Sequence, residues 1–279
     1  MKCEMCPRLC RVDRSKTLGF CGERNKIRIA KVIHNFMWEE PYITKKNGTC
    51  AIFFSGCNLK CSFCQNYKIS RGGCGQTYSI NKFVDLLKEI DQGDEETIDL
   101  ITPTHFSGYI LKAFKIYRPK KKIVYNTSGY ESEEMIKKLA KYVDIFLPDF
   151  KYFDDTLAKK YSNCADYFSK ASKVIKLMTK LKPNIYKNGD LDQGVIIRHL
   201  ILPDQTKDSL KILEYIKENI NDPIISLMSQ YTPSGENKEG RKLLALEYKI
   251  VLNKAKELGL NKGFFQEMSS SNDNFIPEF

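Results

Sequence analysis

From Thr49 onward, short β-branched runs alternate with amphipathic helical runs, and this alternation limits the fold more than any other feature of the chain. The strand candidates are residues 49–55, 97–102, 123–126, 143–148, 194–202 and 224–229. Between the first two, Ile80, Phe83, Val84, Leu87 and Ile90 fall on one helical stripe, and similar stripes recur at Ile110–Tyr117, Met135–Leu139, Val174–Met178, Leu210–Ile220 and Leu243–Leu258. Six strand–helix units in succession imply parallel strands with crossover helices. The strands are almost continuously apolar, as expected when both faces of a sheet are covered. The expected architecture is α/β, a partial (β/α)6 TIM-like barrel, with a doubly wound sheet as the alternative that periodicity alone does not separate. A short cysteine-rich metal-binding module (1–45) would precede the core (46–265), and a loosely ordered tail (266–279) would follow.

Each apolar run ends in polar residues. They are Gly56-Cys57, Thr102-Pro103-Thr104-His105, Asn126-Thr127-Ser128-Gly129, Asp149-Phe150-Lys151, Arg198-His199 and Ser229-Gln230-Tyr231. In parallel α/β folds the carboxyl ends of the strands build the active site, so these six ends should converge on one rim.

The loop after the first strand reads Cys57-Asn58-Leu59-Lys60-Cys61-Ser62-Phe63-Cys64, a C-x₃-C-x₂-C pattern. Three close thiolates suit three irons of a [4Fe–4S] cube, because thiolate is the usual iron–sulfur ligand. The fourth iron would keep an open position, as a catalytic metal needs. Buried free cysteines or an incomplete zinc site is the plainer reading, and the position directly after a strand argues against it.

This motif, with an aromatic residue before its last cysteine, resembles the signature of the radical S-adenosylmethionine (SAM) superfamily. The wider segment from Phe53 to Asn66, with Tyr125–Tyr130, Leu147–Tyr152 and Ser229–Pro233, is similar to the pyruvate formate-lyase activating enzyme-like group. The likeness runs over nearly the whole chain. It implies that SAM chelates the unique iron and is split reductively to methionine and a 5′-deoxyadenosyl radical, which takes hydrogen from a substrate. By the same resemblance Asp149, Lys151 and Arg198 contact SAM, with Arg198 offered to its carboxylate. Phe63, Asn66, Thr102, Thr104, Asn126, Ser128 and Gln230 are expected to line the cofactor site. The Gly-Gly-Glu that many relatives carry after the second strand is replaced by Thr102-Pro103-Thr104-His105, so hydroxyls and carbonyls there would hold the SAM amino group. His105 is the candidate acid or base. His199 should point to the other face of its strand. The resemblance also implies an electron donor such as flavodoxin or ferredoxin. A protein substrate bearing the glycine of a glycyl-radical enzyme is one reading, and radical chemistry on RNA or a small molecule is the other.

Four further cysteines, Cys3, Cys6, Cys10 and Cys21, fall within nineteen residues and suit a tetrahedral zinc or a second cluster. The long gap from Cys10 to Cys21 tilts the reading toward a structural zinc. Cys50, Cys74 and Cys164 read as ordinary thiols, with an approach of Cys74 to the cluster as the alternative. The segment from His34 to Pro41 should pack the N-terminal module on the barrel, with Glu39 and Glu40 serving that packing and a place for either of them lining the site as the alternative.

Lysine plus arginine is 45 against 34 acidic residues, a net charge of +11. The lysines crowd onto helix faces, and no aromatic-interleaved basic motif accompanies them, so solubility explains the charge better than nucleic acid does. A non-catalytic metal- and nucleic-acid-binding protein is the competing class, and the open three-cysteine loop argues against it. No apolar run approaches a membrane span. Met1–Cys6 lacks an apolar signal core, so the expected location is the cytoplasm.

Overall fold

The computed structural model describes residues 2–235 and 240–267. Strand β1 (Ile27–Phe36) is followed by a short helix α1 (Pro41–Thr44), β2 (Thr49–Phe54), α2 (Tyr67–Ser70), β3 (Gln76–Tyr78) and α3 (Ile80–Ile90). Then β4 (Thr97–Ile101), α4 (Ser107–Ile116), β5 (Lys122–Thr127), α5 (Glu133–Leu139) and β6 (Ile145–Pro148) alternate. The rest comprises α6 (Asp155–Ser162), α7 (Tyr167–Leu181), β7 (Ile185–Lys187), β8 (Asp190–Leu200), α8 (Thr206–Asn219), β9 (Ile224–Met228), α9 (Ala245–Glu257) and β10 (Gly263–Phe265).

All six expected strands are present as β2, β4, β5, β6, β8 and β9. They stand parallel and side by side in that order, with β10 as a seventh parallel strand beyond β9. The sheet does not close, because its path runs from β10 to β3. It is the open partial barrel, not the doubly wound alternative, whose strand order would reverse at a switch point. β2 and β4 are buried along their whole length, as strands covered on both faces must be. The crossover helices bury the apolar stripe read from the sequence. In α3, Phe83, Val84, Leu87 and Ile90 are inside, and Ser79 caps its start by accepting from the Lys82 amide. The expected tail at 266–279 lies outside the described residues from 268 on.

Two strands depart from the reading. β1 forms an antiparallel pair with β2 and carries β3 on its other edge, so residues 27–36 of the expected N-terminal module belong to the main sheet. Its alternation is interrupted by two register shifts against β2, which hides the period-two pattern. β8 starts at Asp190, four residues earlier than expected, because Asn188-Gly189 turns it back on β7. Both turn residues have positive φ, as Asn-Gly hairpins require.

Candidate functional site

All six strand ends meet at one cavity of about 150 Å³. The loop after β2 supplies Cys57, Leu59, Cys61, Phe63, Cys64, Gln65 and Asn66. The remaining walls are Ile101 and Thr102 from β4, Asn126, Thr127 and Ser128 from β5, Asp149 and Lys151 from β6, Arg198 and Leu200 from β8, and Met228 and Gln230 from β9. A larger concavity of about 520 Å³ lies at the opposite ends of the strands, lined by lysines and asparagines from the last turns of α7 and α8 and the segments that follow them, and brings together no such chemistry.

The cysteine loop is anchored from several sides. Asn58 donates to the Tyr130 carbonyl (2.8 Å) and the Ser62 amide to Tyr161 O (2.8 Å). Gln65 donates to Gln230 O (2.9 Å), and the Ser234 hydroxyl donates to Phe63 O (3.0 Å). Ser162 offers its hydroxyl to Cys61 Sγ (2.9 Å), and the Leu59 amide points at Cys57 Sγ (3.4 Å). Burial pushes the Cys64 thiol up to about 12 and raises Cys61, with Lys151 acting the other way on both. Thiolates in this place therefore require a metal to compensate them. Three cysteines on one cavity wall, with no fourth among its lining residues, fit a cluster with one iron left open.

Beside the cysteines lies a buried charge chain. Lys151 Nζ donates to Asp149 Oδ2 (2.6 Å), and Arg198 Nε to Asp149 Oδ1 (3.3 Å). Arg198 Nη1 donates to Glu39 Oε2 (2.5 Å) and stands 3.7 Å from Glu40. Asn126 donates to both Asp99 Oδ2 (3.2 Å) and Glu39 Oε1 (3.3 Å). Burial tends to raise Asp149, and Lys151 and Arg198 overcome it and hold the carboxyl low. Burial tends to lower Lys151, and Asp149 with Cys61 lifts it instead. Deeper in, burial drives Glu39 well up and Asp99 up to about 7.

Cys57, Cys61, Cys64, Phe63, Asn66, Thr102, Asn126, Ser128, Asp149, Lys151, Arg198 and Gln230 are thus brought to one cavity. Thr104 and His105 are not. Beyond Thr102, held at φ +60°, and Pro103, the chain enters a helical turn that buries both. Thr104 gives its hydroxyl to Glu131 Oε1 (2.5 Å), and His105 Nε2 bonds Ser55 O (2.6 Å). Burial lowers His105 to about 3, so it is neutral at ordinary pH and is walled off from the cavity. His199 sits on the outer face of β8, bonded to Phe150 O (2.7 Å) and Ser209 Oγ (2.9 Å). Cys74 points its thiol at Lys68 O and does not line the site.

The sequence reading missed Asp99 and Glu131, and it gave Glu39 and Glu40 a place in the site only as the alternative to packing. Glu39 and Glu40 enter the lumen beneath Arg198 instead of serving only as packing. Asp99 was legible, since a carboxylate inside an all-apolar strand demands a partner as much as Arg198 does.

The profile of the Radical SAM superfamily matches residues 51–227, well over half the chain and all of β4 through β8. This chain belongs to the radical SAM superfamily. Over 276 residues it is 27% identical to the uncharacterized protein MJ0674 of Methanocaldococcus jannaschii, covering 93% of this chain and 75% of that one. Streptococcus suis SuiB bound to its precursor peptide SuiA superposes with a TM-score of 0.53 at 15% identity, over 76% of this chain and 46% of SuiB. Methylornithine synthase (PylB) does so with a TM-score of 0.50 at 14% identity, over 75% and 60%. At such identities the structures share the fold. The chain spans less than half of SuiB. Residues before 51, including β1 and Glu39, lie outside the family match. Among the described residues no helix is long and apolar enough to cross a membrane.

Proposed function

We propose that this radical SAM protein holds a [4Fe–4S] cluster on Cys57, Cys61 and Cys64, binds SAM across the strand ends, and abstracts hydrogen from a substrate at the open rim. The convergence of those cysteines with residues from the five other strand ends on one cavity carries the reading. When bound, the reduced cluster supplies the electron that splits SAM to methionine and a 5′-deoxyadenosyl radical. The chain's own residues bind, orient and shield. Lys151 and Arg198 present positive charge for the methionyl carboxylate, and Asp149 fixes both. With Thr104 turned away, Thr102, Asn126 and Ser128 remain for the amino group and ribose. Phe63 and Leu200 keep water from the sulfonium.

Activation of a glycyl-radical enzyme, by analogy with the activating-enzyme group, is the finer version. It needs a protein substrate at the rim, and the likeness to SuiB, solved with a peptide, is in keeping with a peptide or protein there. A ferredoxin or flavodoxin would deliver the electron. Anaerobic reconstitution with iron and sulfide, reduction and addition of SAM should yield 5′-deoxyadenosine and methionine in the wild type and neither in Cys61→Ala. A reducible cluster with no cleavage in either would overturn the reading.

A further inference from the structure

The amino end of the barrel, opposite the cavity, carries a separate group of metal-binding side chains. His34 of β1, Cys50 of β2 and Glu95, two residues ahead of β4, each bring one ligand atom to the same spot, and the three atoms lie within 4.8 Å of one another. We propose that this group binds one zinc ion.

The backbone holds the three donors in place. Ile33 pairs with Ala51 and Phe36 with Thr49, so His34 and Asn35 together face Cys50 alone. That is a β-bulge, a device that re-aims a side chain. Asn35 takes φ +51°, and Gly48 lies so close that a Cβ on it would stand 2.5 Å from the Asn35 carbonyl carbon. Asn35 Nδ2 donates to Asn47 O (2.9 Å), and Asn47 Nδ2 donates to Asp94 O (3.1 Å). These contacts tie β1, the start of β2 and the approach to β4 together, so a metal would find the donors already ordered.

The donors have capacity to spare. Glu95 is 3% exposed, and its Oε1 accepts from the Asn35 amide (3.3 Å) and bonds His34 Nδ1 (2.8 Å). Its Oε2 makes no hydrogen bond among the described residues, and the Lys121 ammonium stands 4.0 Å from it. Lys121 gives its protons to Gly93 O (2.8 Å) and Glu95 O instead. Cys50 is fully buried, and its thiol has no hydrogen-bond partner among the described residues. A core thiol would explain Cys50 but not the bulge that brings a histidine beside it. A surface ion pair would explain His34 and Glu95 but leaves Oε2 without a donor. Imidazole, thiolate and carboxylate together suit zinc, around which such atoms stand about 3.3–3.7 Å apart, so small side-chain movements separate the empty group from a filled one. On binding, Cys50 gives its thiol proton to solvent, and His34 enters as the neutral imidazole. The His34 side chain is 53% exposed, so the fourth position opens to water. Lys121 compensates Glu95 while the site is empty, and its charge weakens the hold on zinc. The ion would staple β1, which precedes the family match at 51–227, to β2 and β4 at the end of the barrel that serves stability. None of this rests on the cluster assigned to Cys57, Cys61 and Cys64.

The test is zinc content and thermal stability of the full chain, reconstituted anaerobically with iron and sulfide and then equilibrated with chelator-buffered zinc. Cys3, Cys6, Cys10 and Cys21, which share the wall of a cavity of about 10 Å³, are another place for zinc, so the comparison is between wild type and variants of this group. Wild type should hold about one zinc per chain more than His34→Gln and more than Cys50→Ser. At free zinc about a hundred times its Kd, the rise in Tm should be about 5 °C larger in wild type than in His34→Gln. Equal zinc and an equal rise in wild type and His34→Gln overturn the proposal. Zinc lost in His34→Gln but kept in Cys50→Ser also overturns it, because the thiolate is then no ligand. Should Cys50→Ser fail to fold, His34→Gln, changed at a half-exposed side chain, still decides. Iron content should be alike in wild type and His34→Gln; its absence from both would sink the proposed function and leave the zinc comparison standing.

Discussion

Replacing Asp149 by Asn tests whether the charge chain at the strand ends is built as described. Asp149 is the shared anion of Lys151 (2.6 Å) and Arg198 (3.3 Å). Asparagine keeps the shape and leaves two buried cations side by side. At an effective dielectric near 20 each pair is worth about 4 kcal/mol of Coulomb energy, partly offset by desolvation. Removing one partner of a buried pair costs about 3–5 kcal/mol. Arg198 keeps Glu39 and Glu40, so the loss falls mainly on Lys151, and about 3 kcal/mol is expected. Urea unfolding of the cofactor-free chain should show a midpoint about 1 M lower at an m-value near 3 kcal/mol/M. Adding Lys151→Met should return much of the loss, because the uncompensated ammonium is then gone, giving a coupling of about 1–3 kcal/mol. A single variant within 1 kcal/mol of wild type, or strict additivity in the double variant, would refute this account of the site.

Other expectations are independent of that one. Gly129 has φ +77°, and a Cβ there would lie 2.4 Å from Asp149 O, so Gly129→Ala should lower Tm by about 5 °C or more and weaken SAM binding together; calorimetry and equilibrium binding check both. Burial lowers His199 to about 4. Being neutral when folded, it takes up its proton more readily when unfolded, so its contribution to stability is full above about pH 6.5 and declines as pH falls toward 4, by about 3 kcal/mol in all. A His199→Gln variant should lose less stability than wild type between pH 7 and 5 in urea titrations. In Glu39→Gln, Arg198 loses its closest carboxylate, and Kd for SAM should rise about tenfold, or about 1.4 kcal/mol, with the fold intact by circular dichroism; an unchanged Kd would remove Glu39 from the site.

The core of the fold was legible because helix and strand periods differ and each segment keeps one of them. The convergence of the strand ends followed from parallel topology, and twelve of the proposed cavity residues reached the cavity on that logic. What failed was local. Thr104 and His105 were assigned by their distance from a strand end, whereas the left-handed turn at Thr102 sends the next residues outward to Glu131 and Ser55. Glu39 and Glu40 read as packing ahead of the site because they come from a segment whose pairing with the sheet depends on β1, and β1 hides its alternation behind register shifts.

The antiparallel pairing of β1 with β2 has a consequence for where this enzyme can be cut. Trimming the chain to a core beginning at residue 46 would strip a neighbour from the six buried residues of β2 and leave its amides and carbonyls as an open template for other chains. The same cut would take Glu39 and Glu40 from Arg198 and leave a hole in the floor of the lumen. Residues 27–45 are therefore a floorboard of the barrel, and a fragment that keeps the sheet and the Arg198 charge chain intact has to begin at or before Ile27.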